Sequence, residues 1–356
     1  MGDVSAREPQ RQVPPAIGPD RQAVNRPQRG RWSNAQAFAA LDLGTNNCRL
    51  LIARPQPVDG GTGSGFAVID AFSRIVRLGE GLAASNRLSD AAIDRTLAAL
   101  KICGDKLRRR NVTLARSVAT EACRRAVNGA DFIARAYDET GIHLDIISAE
   151  EEARLAVLGC HVLIEPGEGP ALIFDIGGGS TELVLVDTGG AIPRVLDWHS
   201  APWGVVSLTE SSPGGEGRDG RIAAYARMRA LVADSMAAFA ARLPTGVPRA
   251  RLLGTSGTVT TLGSVHLGLP SYDRSVVDGL IVPAAAMRRI SGDLAAMDVR
   301  ERAQLACIGT ERADLVVAGC AILETIMDLW PAERLGIADR GIREGILRRL
   351  MGASRP

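Results

Sequence analysis

The chain has 356 residues, 46% of them hydrophobic, with 42 basic against 40 acidic side chains and a formal charge of +2. That length suffices for two domains with cores of their own. The near balance of charge gives no electrostatic case for nucleic acid or a membrane surface, and no apolar run is long enough to span a bilayer. Residues 1–35 carry prolines, glutamines and arginines with few large apolar side chains, and read as a disordered arm. Phe38–Leu43, Cys48–Ala53 and Phe66–Leu78 then read as strands. Ser89 opens a helix in which Ala91, Ile93, Thr96, Leu97, Leu100 and Leu107 recur at helical spacing, closed by Arg108, Arg109 and Arg110 at the negative end of its dipole. Leu114–Ala119 is a further strand. Its end places Thr120 and Arg124 at the carboxyl edge of a sheet, where α/β proteins bind ligands. Arg124 there would pair a phosphate or one of the acids Glu121 and Asp131. Leu144–Ile147 runs into a helix whose first turn holds Glu150, Glu151 and Glu152, acids that the dipole favours. A hydrolase needs one carboxylate near the attacking water; the residues alone do not choose among the three.

The second half repeats the plan. Leu172–Ile176 and Leu183–Val186 are strands, followed by Val195–Trp198, a loop after Trp203, and a polar loop over Gly214–Gly220. An alanine-rich amphipathic helix is expected over Ile222–Leu243. Arg251–Gly254 forms a strand leading into Thr255, Ser256, Gly257 and Thr258, a glycine/hydroxyl turn at a helix start that reads equally as a phosphate site and as an ordinary N-cap. Ala284–Met297, Arg300–Cys307, Arg312–Leu329 and Ile342–Met351 read as helices, with a short strand over Arg334–Ile337.

The chemistry concentrates in two turns. Gly177, Gly178, Gly179 and Ser180 join two apolar strands, with Asp175 and Glu182 at the rims. Successive glycines keep no Cβ between backbone and ligand, so the amides of such a turn can converge on an anion. The two acids are placed to hold a hydrated cation. The second copy is Asp42-Leu43-Gly44-Thr45-Asn46, again between apolar strands. No Gly-Lys-Ser/Thr follows either turn, and a strand rather than a helix comes next, which excludes Walker-type and dinucleotide loops. Two such hairpins suggest two similar lobes facing one phosphate ligand. Lys101 and Lys106 are the only lysines, so a phosphate site built on lysine is not expected. Six scattered cysteines without C-x-x-C spacing and four histidines without an i,i+4 pair give no zinc centre. Reduced thiols and a cytoplasmic location are expected, and the N-terminus has no signal-peptide core.

Seven motifs carry a resemblance to the Ppx/GppA phosphatases (exopolyphosphatase and guanosine pentaphosphate phosphohydrolase) of the actin-like ATPase superfamily. They are Asp42–Asn46, Arg77–Gly81, Ala119–Asn128, Ile147–Arg154, Asp175–Glu182, Gly254–Thr258 and Gly341–Gly345, in the family's order. The resemblance spans about Phe38 to Leu350. It implies an α/β fold of two ribonuclease-H-like lobes, at 36–151 and 152–352, with the active site in the cleft between them. It further implies hydrolysis of the terminal phosphoanhydride of inorganic polyphosphate, with guanosine penta- or tetraphosphate as the other ligand class. Glu152 falls on the family's catalytic base, and Asp175 with Glu182 on the positions of a divalent metal, Mg²⁺ or Mn²⁺. The resulting site has Glu152, Arg77 and Arg124 as catalytic residues. Asp42, Gly44, Thr45, Asn46, Thr120, Gly177, Gly178, Gly179, Ser180, Thr181, Ser256, Gly257 and Thr258 are its phosphate-binding set. Ala149-Glu150 stands where the family has Gly-Asn, and no His-Asp motif of an added C-terminal helical domain appears, which bears on processivity. A homodimer is the expected assembly. A sugar or acetate kinase of the same superfamily, a polyphosphate or alarmone sensor without turnover, and an actin-like filament are the competing readings.

Overall fold

The computed structural model describes residues 36–57, 64–190, 192–247 and 249–352. The arm expected at 1–35 lies outside the described residues. The chain forms two mixed sheets on one plan. In the first, β1 (Ala37–Leu43), β2 (Asn47–Pro57) and β3 (Ser64–Ile75) make an antiparallel meander. Parallel strands β4 (Val112–Ala119) and β5 (Leu144–Ile146) then join β1, giving the order β3-β2-β1-β4-β5. β1 lies between two neighbours with nearly every residue buried, as a central strand of its apolar composition must. Helices α1 (Leu82–Ser85), α2 (Asp90–Arg109), α3 (Glu121–Arg125) and α4 (Gly129–Thr140) belong to this half. Ser89 caps α2 by accepting from the Ala92 amide, as the sequence predicts. Ile93, Leu97, Leu100 and Phe132 seal one face of the sheet.

α5 (Ala149–Cys160) leads into the second sheet. There β6 (Pro170–Ile176), β7 (Thr181–Asp187) and β8 (Arg194–Ala201) repeat the meander. α6 (Val205–Ser211) and α7 (Gly217–Ala240) precede β9 (Arg251–Thr255), which pairs parallel with β6. Then come α8 (Gly257–His266), α9 (Arg274–Val277), β10 (Ile281–Pro283), α10 (Ala284–Ala296), α11 (Val299–Ala303), α12 (Gly309–Arg312) and α13 (Val316–Leu329). β11 (Arg334–Ala338) completes the order β10-β11-β9-β6-β7-β8, and α14 (Ile342–Gly352) closes the described chain. Tyr225, Met228, Val232, Met236 and Phe239 of α7 share a core with Ile322, Leu323 and Ile326 of α13 over one face of this sheet.

α5 lies between the sheets. Leu155 and Ala156 pack with Phe38, Ala40 and Leu51 of the first sheet, while Ala153, Val157 and Cys160 pack with Ala171, Ile173 and Val184 of the second. α14 returns to the first sheet, where Ile346, Leu347 and Met351 join the same cluster. The two helices cross backbone to backbone. A Cβ on Gly345 would stand 2.0 Å from the Leu155 carbonyl oxygen, and one on Gly159 would stand 1.9 Å from that of Gly341.

Several expected boundaries move. β3 ends at Ile75 rather than Leu78, because Arg77 turns into left-handed backbone (φ 48°). The loop expected after Trp203 is helix α6, and α7 begins inside the polar loop expected over Gly214–Gly220. The helix expected over Arg300–Cys307 stops at Ala303, and the one expected from Arg312 starts at Val316. Among the described residues no helix is long and apolar enough to cross a membrane, and all six cysteines are free.

Candidate active site

The two glycine turns have one geometry. The Gly44 amide donates to the Asn47 carbonyl and the Gly177 amide to the Ser180 carbonyl, both at 2.9 Å. In each turn the carbonyls are then tied back. The Gly79 amide donates to Thr45 O (2.9 Å), and the amides of Val76 and Arg77 donate to Asn46 O (2.8 and 3.0 Å). In the second turn the amides of Val205 and Val206, at the start of α6, donate to the carbonyls of Gly177 and Gly178 (3.0 and 2.8 Å). The Ser207 hydroxyl donates to Gly179 O at 3.1 Å. The amides of Thr45, Asn46, Gly178 and Gly179 are left without a protein acceptor among the described residues, and so stay available to an anion. The turns also face each other closely. A Cβ on Gly178 would lie 2.9 Å from Thr45 Cβ, and one on Gly179 would lie 2.6 Å from Glu121 Oε2. Only glycine permits that approach.

Between the turns lies a cavity of about 120 Å³. At roughly 10–15 Å³ per water-sized group it holds on the order of ten such groups, which is room for the end of a phosphate chain. Asp42, Gly44, Thr45, Asn46, Thr120 and Glu152 line it from one side. Asp175, Gly177, Gly178, Gly179 and Ser180 line it from the other, with Ser256, Gly257 and Thr258 at the start of α8. The Ser256 hydroxyl accepts from the amides of Thr258 and Val259, so it serves as the N-cap of α8.

Four expected residues do not line the cavity. Thr181 donates its hydroxyl to the Trp203 carbonyl. Glu182 lies behind Asp175 across the hairpin, accepting from the hydroxyls of Ser180 (2.8 Å) and Ser200 (2.9 Å). Arg124 donates to the Ile147 carbonyl (2.7 Å) and to Glu152 Oε2 (3.2 Å). Arg77 reaches into the second half, where it pairs with Asp314 at 3.0 Å. The three acids of α5 separate by partner: Glu150 pairs with Arg154, Glu151 with Arg116 and Arg349, and Glu152 alone faces the cavity.

Burial sets the electrostatics. It pushes the Glu152 carboxyl well above the usual range, with Glu182 adding repulsion and Arg124 opposing. Burial, followed by Glu182, lifts Asp175 to about 8. Asp42 is raised by burial against the pull of Arg49 and Arg343. Three charged lining residues were absent from the expected site: Glu121, Arg49 and Arg312. A spacing signal for Arg49 exists in the sequence. It stands seven residues after Asp42, as Glu182 stands seven after Asp175.

The profile of the Ppx/GppA phosphatase family matches residues 57–354. Exopolyphosphatase 2 of Mycobacterium tuberculosis is 31% identical over 328 residues, which cover 88% of this chain and 98% of that protein. A guanosine-5'-triphosphate,3'-diphosphate pyrophosphatase of Aeromonas salmonicida is 30% identical over 90% of this chain, which spans 60% of that longer protein. The crystal structure of the Aquifex aeolicus member of the Ppx/GppA family superposes with a TM-score of 0.72 at 27% identity, covering 90% of this chain and 99% of that one. An exopolyphosphatase structure from Cytophaga hutchinsonii shares the fold, with a TM-score of 0.78 at 23% identity over 90% of this chain and 100% of that one. With a matched profile over residues 57–354 and a relative 31% identical over 88% of its length, the chain belongs to the Ppx/GppA phosphatase family.

Proposed function

We propose that the chain hydrolyses the terminal phosphoanhydride bond of inorganic polyphosphate, releasing orthophosphate, and that guanosine pentaphosphate enters the same site by its triphosphate end. One observation carries this reading: two amide-lined turns face each other across a cavity sized for a chain end, with a buried carboxylate, Glu152, in its wall. The amides of Thr45, Asn46, Gly178 and Gly179 hold the terminal phosphate oxygens. Glu152 takes a proton from water as the water oxygen bonds to phosphorus and the bridging P–O bond breaks. Arg124, in contact with Glu152, favours its ionised form and orients it. The names of the curated relatives supply the substrate classes.

The residues present fit a divalent cation. Asp175 is a half-buried oxygen donor with no hydrogen-bond partner among the described residues, and desolvation with the nearby Glu182 raises its carboxyl. Among the described residues no three acids, histidines or cysteines converge on one point, so a bound ion would take its remaining ligands from water and phosphate oxygens, as suits Mg²⁺. Such an ion, Mg²⁺ or Mn²⁺, supplies charge neutralisation at the phosphate when bound. Asp175 would hold it, with Glu182 behind.

Phosphate release with Mg²⁺ from long polyphosphate, guanosine pentaphosphate and ATP tests the proposal. Glu152→Gln is expected to melt like the parent and to lose about 10²–10⁴-fold in turnover. Undiminished release by that variant, or tight binding of all three without release by the parent, overturns it. The homodimer and the cytoplasmic location belong to the same reading; light scattering of the purified chain tests the first.

A further inference from the structure

One acid in the cavity wall has no part in the chemistry described so far. Glu121 is the first residue of α3, directly after Thr120, whose amide donates to the Leu43 carbonyl at 3.1 Å and so seats the helix start beside the Asp42–Asn46 turn. From the first lobe its side chain reaches the turn of the second. Glu121 Oε2 lies 2.6 Å from where a Cβ on Gly179 would be, and Thr45 Oγ1 lies 2.9 Å from the same point. The carboxyl therefore stands among the turn amides that the backbone leaves open. Glu121 lines the cavity yet makes no hydrogen bond or ion pair with any described residue. Arg124, three residues on, is engaged by the Ile147 carbonyl and Glu152. Burial raises the Glu121 carboxyl against the pull of Arg125 and Arg124.

A carboxylate beside amides that hold a phosphate repels that phosphate unless a proton or a cation lies between the two acids. The cation is provided for at Asp175; at Glu121 the ligand itself can bring the proton. The phosphate at the end of a chain has a second ionisation near pH 6, roughly that of a phosphate monoester, so it has a proton to share. A phosphate inside the chain has one ionisable oxygen, strongly acidic, and has none. Two acids sharing one proton make a short, charge-assisted hydrogen bond. We infer that Glu121 is a specificity-determining residue that reads the end of the chain: its carboxyl shares a proton with a terminal phosphate and repels an internal one. The cavity thereby selects a free end. This rests on the hydrolase reading of the same cavity, and the ligand class is a linear inorganic or nucleotide oligophosphate.

The test is calorimetric binding of linear tripolyphosphate and of cyclic trimetaphosphate, which has no chain end. Both are titrated with Mg²⁺ into the full chain carrying Glu152→Gln, with and without Glu121→Gln. The expected result is a preference for the linear ligand, and a linear-to-cyclic affinity ratio that falls about 10- to 100-fold when Glu121→Gln is added. A general structural loss would weaken both ligands together and leave the ratio alone; an unchanged ratio overturns the inference. The Mg²⁺ concentration for half-maximal tripolyphosphate binding should stay within about threefold. A larger rise would give the carboxylate to the cation, and also overturns it. Should Glu121→Gln fail to fold, Glu121→Ala is read for the same ratio. Phosphate release by the parent is measured alongside. If it releases none yet the ratio falls as expected, end recognition stands and the hydrolase reading falls. Release with an unchanged ratio removes end recognition alone, and failure to bind either ligand removes both.

Discussion

At Glu152, one turn of helix decides which acid meets the ligand. Glu150 and Glu151 are drawn off by Arg154, Arg116 and Arg349, and Glu152 stays 7% exposed against Arg124. The motif of three acids was legible in the sequence; the selection was not, because it depends on arginines from β4 and α14 that are distant in the chain. Arg49 and Glu121 were missed for a related reason. Glycine turns announce themselves locally, whereas a side chain that enters a cleft from mid-strand or from the first turn of a short helix does so only once register is fixed. Asp175 carries a measurable consequence. Its carboxyl titrates near 8 in the fold against 3.8 ordinarily, so between those values the native chain binds more protons than the unfolded one. The stability it contributes is present at low pH and is lost as pH rises toward about 8. In metal-free protein, the melting temperature of wild type relative to Asp175→Asn is expected to fall from pH 5 to pH 8. Added Mg²⁺ should raise the wild-type value more at pH 8 than at pH 5. Parallel pH profiles for the two proteins would show that Asp175 is not so perturbed.

At the scale of elements, the two hairpins were readable because their apolar strands, Asp and Gly recur in order, and the matched hydrogen bonds of Gly44 and Gly177 show the duplication in the backbone. The supports of those hairpins were less readable. α6, taken for a loop, holds the carbonyls of the second turn, and the Arg77–Gly81 turn, taken for the end of a strand, holds those of the first. Neither has the long apolar periodicity by which helices and strands declare themselves. Gly345 of the final glycine motif lies inside α14, within the helix expected over Ile342–Met351, and there it admits the backbone of α5. Gly345→Ala would set a Cβ 2.0 Å from a carbonyl that has no side-chain freedom to yield. It is expected to cost about 1–3 kcal/mol by overpacking, despite the better helix propensity of alanine. A denaturant titration in which the midpoint is unchanged or higher would refute that account of the crossing.

For the whole molecule, two contacts between the halves lie outside the cavity: Arg77 to Asp314, and the Gly81 amide to Glu210 Oε1 at 2.8 Å. The ion pair is about a third exposed on both sides, so it contributes no more than about 1 kcal/mol. Asp314→Asn is accordingly expected to leave kcat within about twofold and to raise KM by no more than about fivefold, the equilibrium equivalent of that energy. Arg77→Ala should behave the same way if its side chain acts as a strap. A fall of 100-fold or more in kcat for Arg77→Ala alone, with Asp314→Asn silent, would return Arg77 to the chemistry.

The return of α14 to the first sheet bears on how the protein is made. Phe38, Ala40 and Leu51 present an apolar face that α5 and α14 cover together, and the entire second sheet is encoded between those two helices. On the ribosome, the first sheet therefore emerges early and waits with that face half clothed until α14 is synthesised. An oily surface exposed for so long invites chaperones or premature sticking until α14 emerges to cover it.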